Sequence, residues 1–149
     1  MNQAAPVLTE TDAVLLQDLP GLAAAAAAAA EGLLMEARRA FAAKVVVDGR
    51  PNGKLIEQHQ FGAHALSWVA TYVEALREMK GWAERLTADD KFGEMEALIL
   101  QIAFGEYLAQ LSGGIPMSQG EIARLSDLGV TAKALDVPAV DALVAGGNS

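Results

Sequence analysis

The fold is decided by the stretch Met95-Glu-Ala-Leu-Ile-Leu-Gln-Ile-Ala-Phe-Gly-Glu-Tyr-Leu-Ala-Gln-Leu111, which is followed by a serine and the pair Gly113-Gly114. Apolar side chains recur at steps of three and four residues, which places them on one face of an α-helix. Thr87 is expected to cap this helix, and Gly113 to end it in the left-handed conformation that glycine tolerates. The predicted helix covers 88–111, and its broad apolar face holds Phe92, Met95, Leu98, Ile99, Ile102 and Ala103.

Two further long helices precede this one. The first is expected over Pro20–Val46, because proline suits the first turn of a helix and an apolar stripe follows it. Its eight consecutive alanines, Ala23–Ala30, favour close helix packing and are too few and too weakly apolar for a membrane span. The second is expected over Gly53–Leu86, with two apolar edges that imply a helix on each side. Val45–Val47 can also be read as a short strand, but we prefer a helix end and a loop over 48–52.

The chain of 149 residues is long enough for one ordinary domain. Residues 1–19 are predicted as an arm with a short helix over 9–19, residues 20–129 as the helical bundle, and residues 130–149 as a short helical tail. Aromatic residues are few, which suits closely packed helices. The absence of cysteine fits a reducing compartment. The predicted fold class is all-α, an antiparallel bundle of three to four main helices plus short terminal helices.

Capping signals set the boundaries after the third long helix. Ser118-Gln-Gly-Glu121 has the pattern of a capping box, which predicts a short helix over 119–127 that stops at Gly129. Further helical turns are expected to begin at Thr131 and at Pro138, because both residue types favour a helix start.

Charge and composition exclude several classes of function. The formal net charge is −8 and there are only eleven Lys and Arg residues, so no nucleic-acid-binding face is predicted. A modest basic cluster that includes Arg38, Arg39 and Lys44 reads as a solvated helix face. The N-terminus lacks the basic start and the apolar core of a signal peptide, and no membrane partner is predicted. We therefore expect a cytoplasmic protein.

Histidines offer no metal site in this sequence. His59 and His64 are the only two, and their spacing of five residues differs from the i, i+4 spacing that a metal pair on a helix requires. No third ligand is evident, so no metal is predicted. His64 lies beside Trp68 and Tyr72 on the second long helix, where we expect a packed or interface histidine.

Three polar residues interrupt the apolar third helix. Glu106 shares a face with Ile99 and Ile102, and it is either an acid or base in a cleft or a side chain that meets an arginine or a backbone group at a helix junction. We prefer the second interpretation. Gln101 and Gln110 need hydrogen-bond partners wherever they are buried.

Three stretches carry a resemblance to a known family: Glu57-Gln-His-Gln60, Ala65–Leu76 and Gln101–Glu121. Together they resemble the helical C-terminal domain of acyl-CoA dehydrogenases over residues 55–129, about half the chain. In that family a glutamine lies three residues before a Gly-Gly pair, as Gln110 does here, and these residues lie against the flavin dinucleotide of a neighbouring subunit. The chain is more specifically similar to the extra helical region that precedes the main body in some bacterial members.

The resemblance implies cofactor-adjacent positions at Gln110, Gly113 and Gly114, with FAD bound only in the context of a complete enzyme. It implies no catalytic residue, because the stretch that carries the base in many members has no counterpart after Asp127 and the family's β-domain is missing. The implied function is a helical module of an acyl-CoA dehydrogenase-like flavoprotein in fatty acid metabolism, supporting dimerisation or one edge of the flavin/acyl-CoA site. The isolated chain is expected to hold no flavin and to be inactive.

A stand-alone helical interaction or scaffold protein is the alternative function. The expected partner is a second copy in a two-fold dimer, or the remainder of an acyl-CoA dehydrogenase. Trp68, Tyr72 and Trp82 are the predicted interface anchors, with Ala23–Ala30 as a second contact, because large aromatic side chains dominate interface energetics. The competing interpretation is that these aromatic residues pack inside the monomer.

Overall fold

The computed structural model describes residues 14–147. The elements in chain order are α1 (Leu19–Val45), β1 (Val46–Val47), β2 (Arg50–Pro51), α2 (Gly53–Gln58), α3 (Gln60–Ala88), α4 (Glu94–Gly113), β3 (Ile115–Pro116), β4 (Ile122–Ala123), α5 (Leu125–Leu128) and α6 (Pro138–Gly147). Two 3-10 turns cover Ser118–Gly120 and Ala132–Leu135. The predicted all-α fold class is confirmed, because the strands form only two small antiparallel hairpins beside long helices.

The core lies where the long helices meet. α1 packs along α3, α3 along α4, and α4 along α6. The short connection between α3 and α4 makes this pair antiparallel. Burying a large aliphatic or aromatic side chain stabilises the fold by about 1.5–3 kcal/mol. The largest buried side chains come from all four helices, and they include Leu33, Leu76, Leu100, Phe104, Leu108 and Leu143.

The alanine run of α1 packs into this core. Ala23, Ala26, Ala27 and Ala30 are buried, at the spacing of one helix face. By length and apolarity alone α1 is able to cross a membrane. Its opposite side carries exposed charges such as Glu31, so its pattern is that of a core helix in a bundle.

The prediction of a loop over 48–52 is wrong. β1 and β2 pair as an antiparallel hairpin, with Val46 opposite Pro51. The two residues between them, Asp48 and Gly49, both have positive φ, 50° and 74°. That conformation is the tight turn for which Asp-Gly is a preferred sequence. The alternation that identifies longer strands is absent because each strand has only two residues.

The continuous helix predicted over 53–86 is divided at His59, whose φ of −113° and ψ of 29° separate α2 from α3. Thr87 does not cap the next helix. It lies inside α3, and its hydroxyl donates to the Ala83 carbonyl oxygen at 2.8 Å, a bond to the preceding turn. α4 begins after Gly93 instead, where the Glu96 carboxylate accepts from the Gly93 N–H at 3.0 Å.

Glycines end two helices, one of them where the sequence predicts. Gly113 is the last residue of α4 and is helical, so the predicted left-handed end at Gly113 is wrong; the cap is Gly114, with a φ of 126° and a ψ of 132°. The helix predicted over 119–127 is reduced to α5, because β4 and its pairing with β3 occupy the preceding residues. Gly129 ends α5 in the left-handed conformation with a φ of 78°, as predicted.

The sequence predicts short helices near both ends of the chain. Most of the helix predicted over 9–19 lies outside the described residues, and residues 14–18 form a bend and a turn. The helical starts at Thr131 and Pro138 are confirmed, and Thr131 Oγ1 accepts from the Lys133 N–H at 3.4 Å. The segment predicted as a tail contributes Leu135, Val140 and Leu143 to the core.

The apolar face predicted for the third long helix is wrong for three of its six residues, whereas Phe92 packs against the core. Met95, Ile99 and Ile102 of α4 are exposed, whereas Leu100 and Phe104 are buried. Apolar residues occupy most of the circumference of this helix, so periodicity does not identify the face that packs on α3 and α6.

Candidate site at the end of α4

Gln110 lies in the last turns of α4 and is hydrogen-bonded to Tyr72, one of a set of rings on α3 and α4. Its Oε1 accepts a hydrogen bond of 2.5 Å from the Tyr72 hydroxyl. Tyr72 stacks on Tyr107, with ring centroids 4.6 Å apart, and meets the edge of Trp68 at 6.4 Å. Trp68 Nε1 donates to His64 Nε2 at 2.8 Å. We call His64, Trp68, Tyr72 and Tyr107 the aromatic cluster.

The Tyr72 hydroxyl donates to the oxygen of the Gln110 amide. A glutamine amide has one acceptor oxygen and an NH2 group with two donor hydrogens. Because the oxygen faces Tyr72, the NH2 group is left for another acceptor, and it has no partner among residues 14–147. Gln110, held by Tyr72 of the aromatic cluster, therefore presents a hydrogen-bond donor at the end of α4.

The Tyr72 hydroxyl is stabilised in its neutral form. Burial, and secondarily the neighbouring Tyr107 hydroxyl, raise the pKa of Tyr72 above its ordinary value of 10.0. A group whose pKa is raised on folding contributes stability that is present below the unfolded pKa and lost as pH rises through the folded pKa. We expect wild-type stability to fall above about pH 10, and the Tyr72→Phe variant to lose less over that interval. Urea unfolding at a series of pH values measures the free energy of unfolding of both proteins. The same decrease with pH in the wild type and in the variant would contradict this expectation.

The two glycines of the predicted site differ in their surroundings. Gly113 is exposed, and nothing lies within 4 Å of the position that a Cβ would take. A Cβ on Gly114 would lie 2.6 Å from Ile122 Cγ2, and its φ of 126° is one that side chains disfavour. The β3–β4 hairpin therefore accounts for Gly114, whereas the surface beside Gly113 is open to a ligand.

A cavity of about 410 Å³ borders Gly113 between α4 and α6. Its lining includes Ser112, Asp136 and Asp141, and no Lys or Arg. Carboxylates repel the pyrophosphate of a dinucleotide, so this cavity does not fit the phosphates of FAD. The Gln110 NH2 group and the exposed side of Gly113 are the free donor and the open surface at this end of α4. The assignment of Gln110, Gly113 and Gly114 to a cofactor stays a prediction.

Other candidate residues are not brought to this site. His59 lies at the α2–α3 junction, whereas His64 belongs to the aromatic cluster. Glu106 forms no ion pair and accepts no hydrogen bond within residues 14–147, so the arginine or backbone contact that the sequence favoured for it is not seen there. The expectation for Gln101 is confirmed: it is buried and its amide is fully partnered.

Sequence reasoning missed a groove of about 470 Å³ between α3 and α4. Its apolar lining is Ala75, Met79, Trp82, Ala103 and Tyr107, and Glu78 and Arg85 also border it. The available signal was the second apolar edge of α3, which includes Ala75 and Trp82. We call these five apolar residues the α3–α4 groove.

Comparison with known proteins identifies a relative of the chain. No family model matches it. It is 59% identical over 116 residues to the (2S)-methylsuccinyl-CoA dehydrogenase of Cereibacter sphaeroides, and the match covers 78% of the chain but 21% of that protein. The chain thus spans about a fifth of the length of the relative it matches. The resemblance predicted from the sequence is therefore confirmed: the chain is a homologue of part of an acyl-CoA dehydrogenase family member.

Proposed function

We propose that this chain is a non-catalytic helical region of an acyl-CoA dehydrogenase-like flavoprotein. In this proposal it lines one edge of the flavin or acyl-CoA site, supports a homodimer, and functions in the cytoplasm. The observation that carries the proposal is the 59% identity to (2S)-methylsuccinyl-CoA dehydrogenase. The complete enzyme would bind FAD and act on an acyl-CoA thioester, the class to which that relative's named substrate belongs.

The geometry at the end of α4 supports an edge role and not a complete site. Gln110 offers an oriented NH2 donor, and Gly113 leaves the adjacent surface open. The acidic residues Asp136 and Asp141 border the nearest cavity, so the phosphates of a dinucleotide require cations from elsewhere. Such a region places one wall of a cofactor site and leaves the chemistry to the rest of the enzyme. A stand-alone scaffold is not favoured, because it does not account for the identity to an enzyme.

A segment exchange tests this function. In the relative, the homologous segment is replaced by the corresponding residues of this chain. We expect the folded chimera to retain its flavin absorbance and its dehydrogenase activity, because the two segments are 59% identical over 116 residues. The unaltered relative is the reference for flavin content per subunit. A chimera that is folded but has lost both flavin and activity contradicts the proposal.

Two substitutions in the chimera separate a cofactor contact from a structural one. Gln110→Leu removes the NH2 donor and the bond to Tyr72, whereas Tyr72→Phe removes only that bond. If the NH2 group contacts the flavin, Gln110→Leu should weaken FAD binding about 3- to 10-fold, the value of one neutral hydrogen bond. Tyr72→Phe should change it much less. Equal effects of the two variants assign Gln110 a purely structural role.

A further inference from the structure

Asn52, between β2 and α2, is the one asparagine of this sequence that glycine follows. The other two, Asn2 and Asn148, precede glutamine and serine. The side-chain amide of an asparagine is open to attack by the backbone nitrogen of the next residue, which closes a five-membered succinimide ring and makes asparagine thermally labile. Glycine hinders this attack least because it has no Cβ. Asn52-Gly53 is therefore the pair of this sequence in which the reaction is sterically least hindered.

The reacting groups of this pair are not held by other residues. Gly53 is the first residue of α2, and the N–H groups of a first helical turn have no partner in a preceding turn. Within residues 14–147 the Gly53 N–H and the Asn52 Nδ2 group form no hydrogen bond. Nothing lies within 4 Å of the position that a Cβ on Gly53 would take. The attacking nitrogen and the leaving amino group are thus both accessible.

The native backbone nevertheless keeps the pair out of the geometry of attack. Asn52 Oδ1 accepts from the Leu55 N–H at 3.1 Å and caps α2, with a ψ of 113° at Asn52. Ring closure requires the Asn52 Cβ and the Gly53 nitrogen to be eclipsed about the Cα–C bond, and this value of ψ places them far from eclipsed. The reaction therefore requires the start of α2 to open.

Little burial opposes that opening. α2 has six residues and none of them is buried, whereas every other α-helix of the described chain contributes buried side chains. Only Leu55 and Ile56 pack partly against the core. Segments with few buried apolar contacts open locally at a free energy well below that of global unfolding. The start of α2 therefore visits open conformations while the rest of the bundle stays folded.

We propose that Asn52 is a site of spontaneous deamidation whose rate depends on local opening of α2. The Gly53 nitrogen loses its proton and bonds to Asn52 Cγ, the Cγ–Nδ2 bond breaks, and ammonia leaves. Water then opens the succinimide at one of its two carbonyl groups and gives aspartate or isoaspartate. Either product adds one negative charge to a chain whose formal net charge is −8. Aspartate keeps an oxygen for the Leu55 N–H, whereas isoaspartate inserts an extra carbon into the main chain before α2.

Peptide mapping by mass spectrometry tests the site in the full chain, incubated in mildly alkaline buffer that favours loss of the amide proton. Trypsin releases residues 45–54 as one peptide, because the proline after Arg50 prevents cleavage there. We expect this peptide to gain one dalton with time, as OH replaces NH2. Asp48 lies in the same peptide, but its isomerisation leaves the mass unchanged. A constant mass in the native chain, over an interval in which the urea-unfolded chain is deamidated, overturns the proposal.

Gly53→Ala tests the attack by the Gly53 nitrogen. Alanine fits the fold, because the space around its Cβ is open, but its methyl group hinders the attacking nitrogen. We expect the variant to fold, as circular dichroism checks, and to lose most of the mass gain. The loss should persist in the urea-unfolded chain, where α2 is absent and a more stable helix has no effect. Equal rates in the two unfolded chains overturn the succinimide route.

Leu55→Ala tests the dependence on opening. It keeps the N–H that Asn52 caps but removes part of the apolar contact between α2 and the core. We expect deamidation of the folded variant to be about 3- to 10-fold faster than in the wild type, because α2 opens more often. In the urea-unfolded chains the two rates should be equal. A folded variant that reacts at the wild-type rate overturns the role of α2.

Discussion

Replacing Gly105 by alanine is expected to lower the free energy of unfolding by about 1–3 kcal/mol, and replacement by valine by more, as overpacking of a closed contact does. A Cβ at this position would lie 2.6 Å from the Cα and the carbonyl carbon of Gly147 and 2.8 Å from the Leu143 oxygen. Backbone atoms do not move aside by rotation of a side chain. α6 would have to separate from α4, and the buried contacts of Phe104 and Leu143 would loosen.

Gly32→Ala is the matched control for this variant. Gly32 also lies inside a helix, α1, but nothing lies within 4 Å of the position of its Cβ. Alanine there should raise stability by about 0.5–1 kcal/mol, because glycine loses more backbone entropy in a helix. Urea unfolding of both variants measures the difference. Similar effects at Gly32 and Gly105 would contradict the close approach of α4 and α6.

Two helix starts were predictable from local signals. Pro20 precedes a long apolar stripe and lies in the first turn of α1, and Pro138 begins α6. Such signals act within a few residues of the chain, so a single sequence contains them. The division at His59 has no comparable signal, because the residues on both sides favour a helix and the break depends on how α2 and α3 pack.

The packing of α4 illustrates what periodicity does not provide. Ile99 and Leu100 are adjacent and equally apolar, yet Ile99 is 44% exposed and Leu100 is fully buried. Which of them faces the core depends on where α3 and α6 lie, and that is a tertiary property.

The geometry of the candidate site could not be predicted from the sequence. The spacing from Gln110 to Gly113-Gly114 indicates the position through the resemblance to a family. The partner of the Gln110 oxygen is Tyr72, 38 residues away in the sequence. The requirement for glycine at 114 comes from Ile122, which approaches through the β3–β4 pairing. Contacts between distant residues carry no local pattern from which to predict them.

Gln101→Leu is expected to cost about 3–5 kcal/mol of stability, the largest effect of a single hydrogen-bonding side chain in the described chain. Gln101 is 2% exposed, and its amide joins three backbone groups. Its Oε1 accepts from the Leu16 N–H at 2.8 Å, and its Nε2 donates to the Val14 and Gly146 oxygens at 2.7 and 3.1 Å. Leucine has a similar size and no polar atoms, so all three groups would lose their partner.

The second glutamine of α4, Gln110, provides a comparison for Gln101, because it lies on the same helix but makes fewer hydrogen bonds. Gln101 joins the segment before α1 and the end of α6 to the middle of α4, whereas Gln110 makes one bond at the half-buried Tyr72. Each unpartnered backbone group costs about 1–3 kcal/mol, and loss of the single Gln110 bond about 1 kcal/mol. Urea unfolding should therefore separate the two Leu variants by at least about 2 kcal/mol. Amide exchange at Leu16 should accelerate in Gln101→Leu alone, and equal losses of stability would show that these ends are held by other contacts.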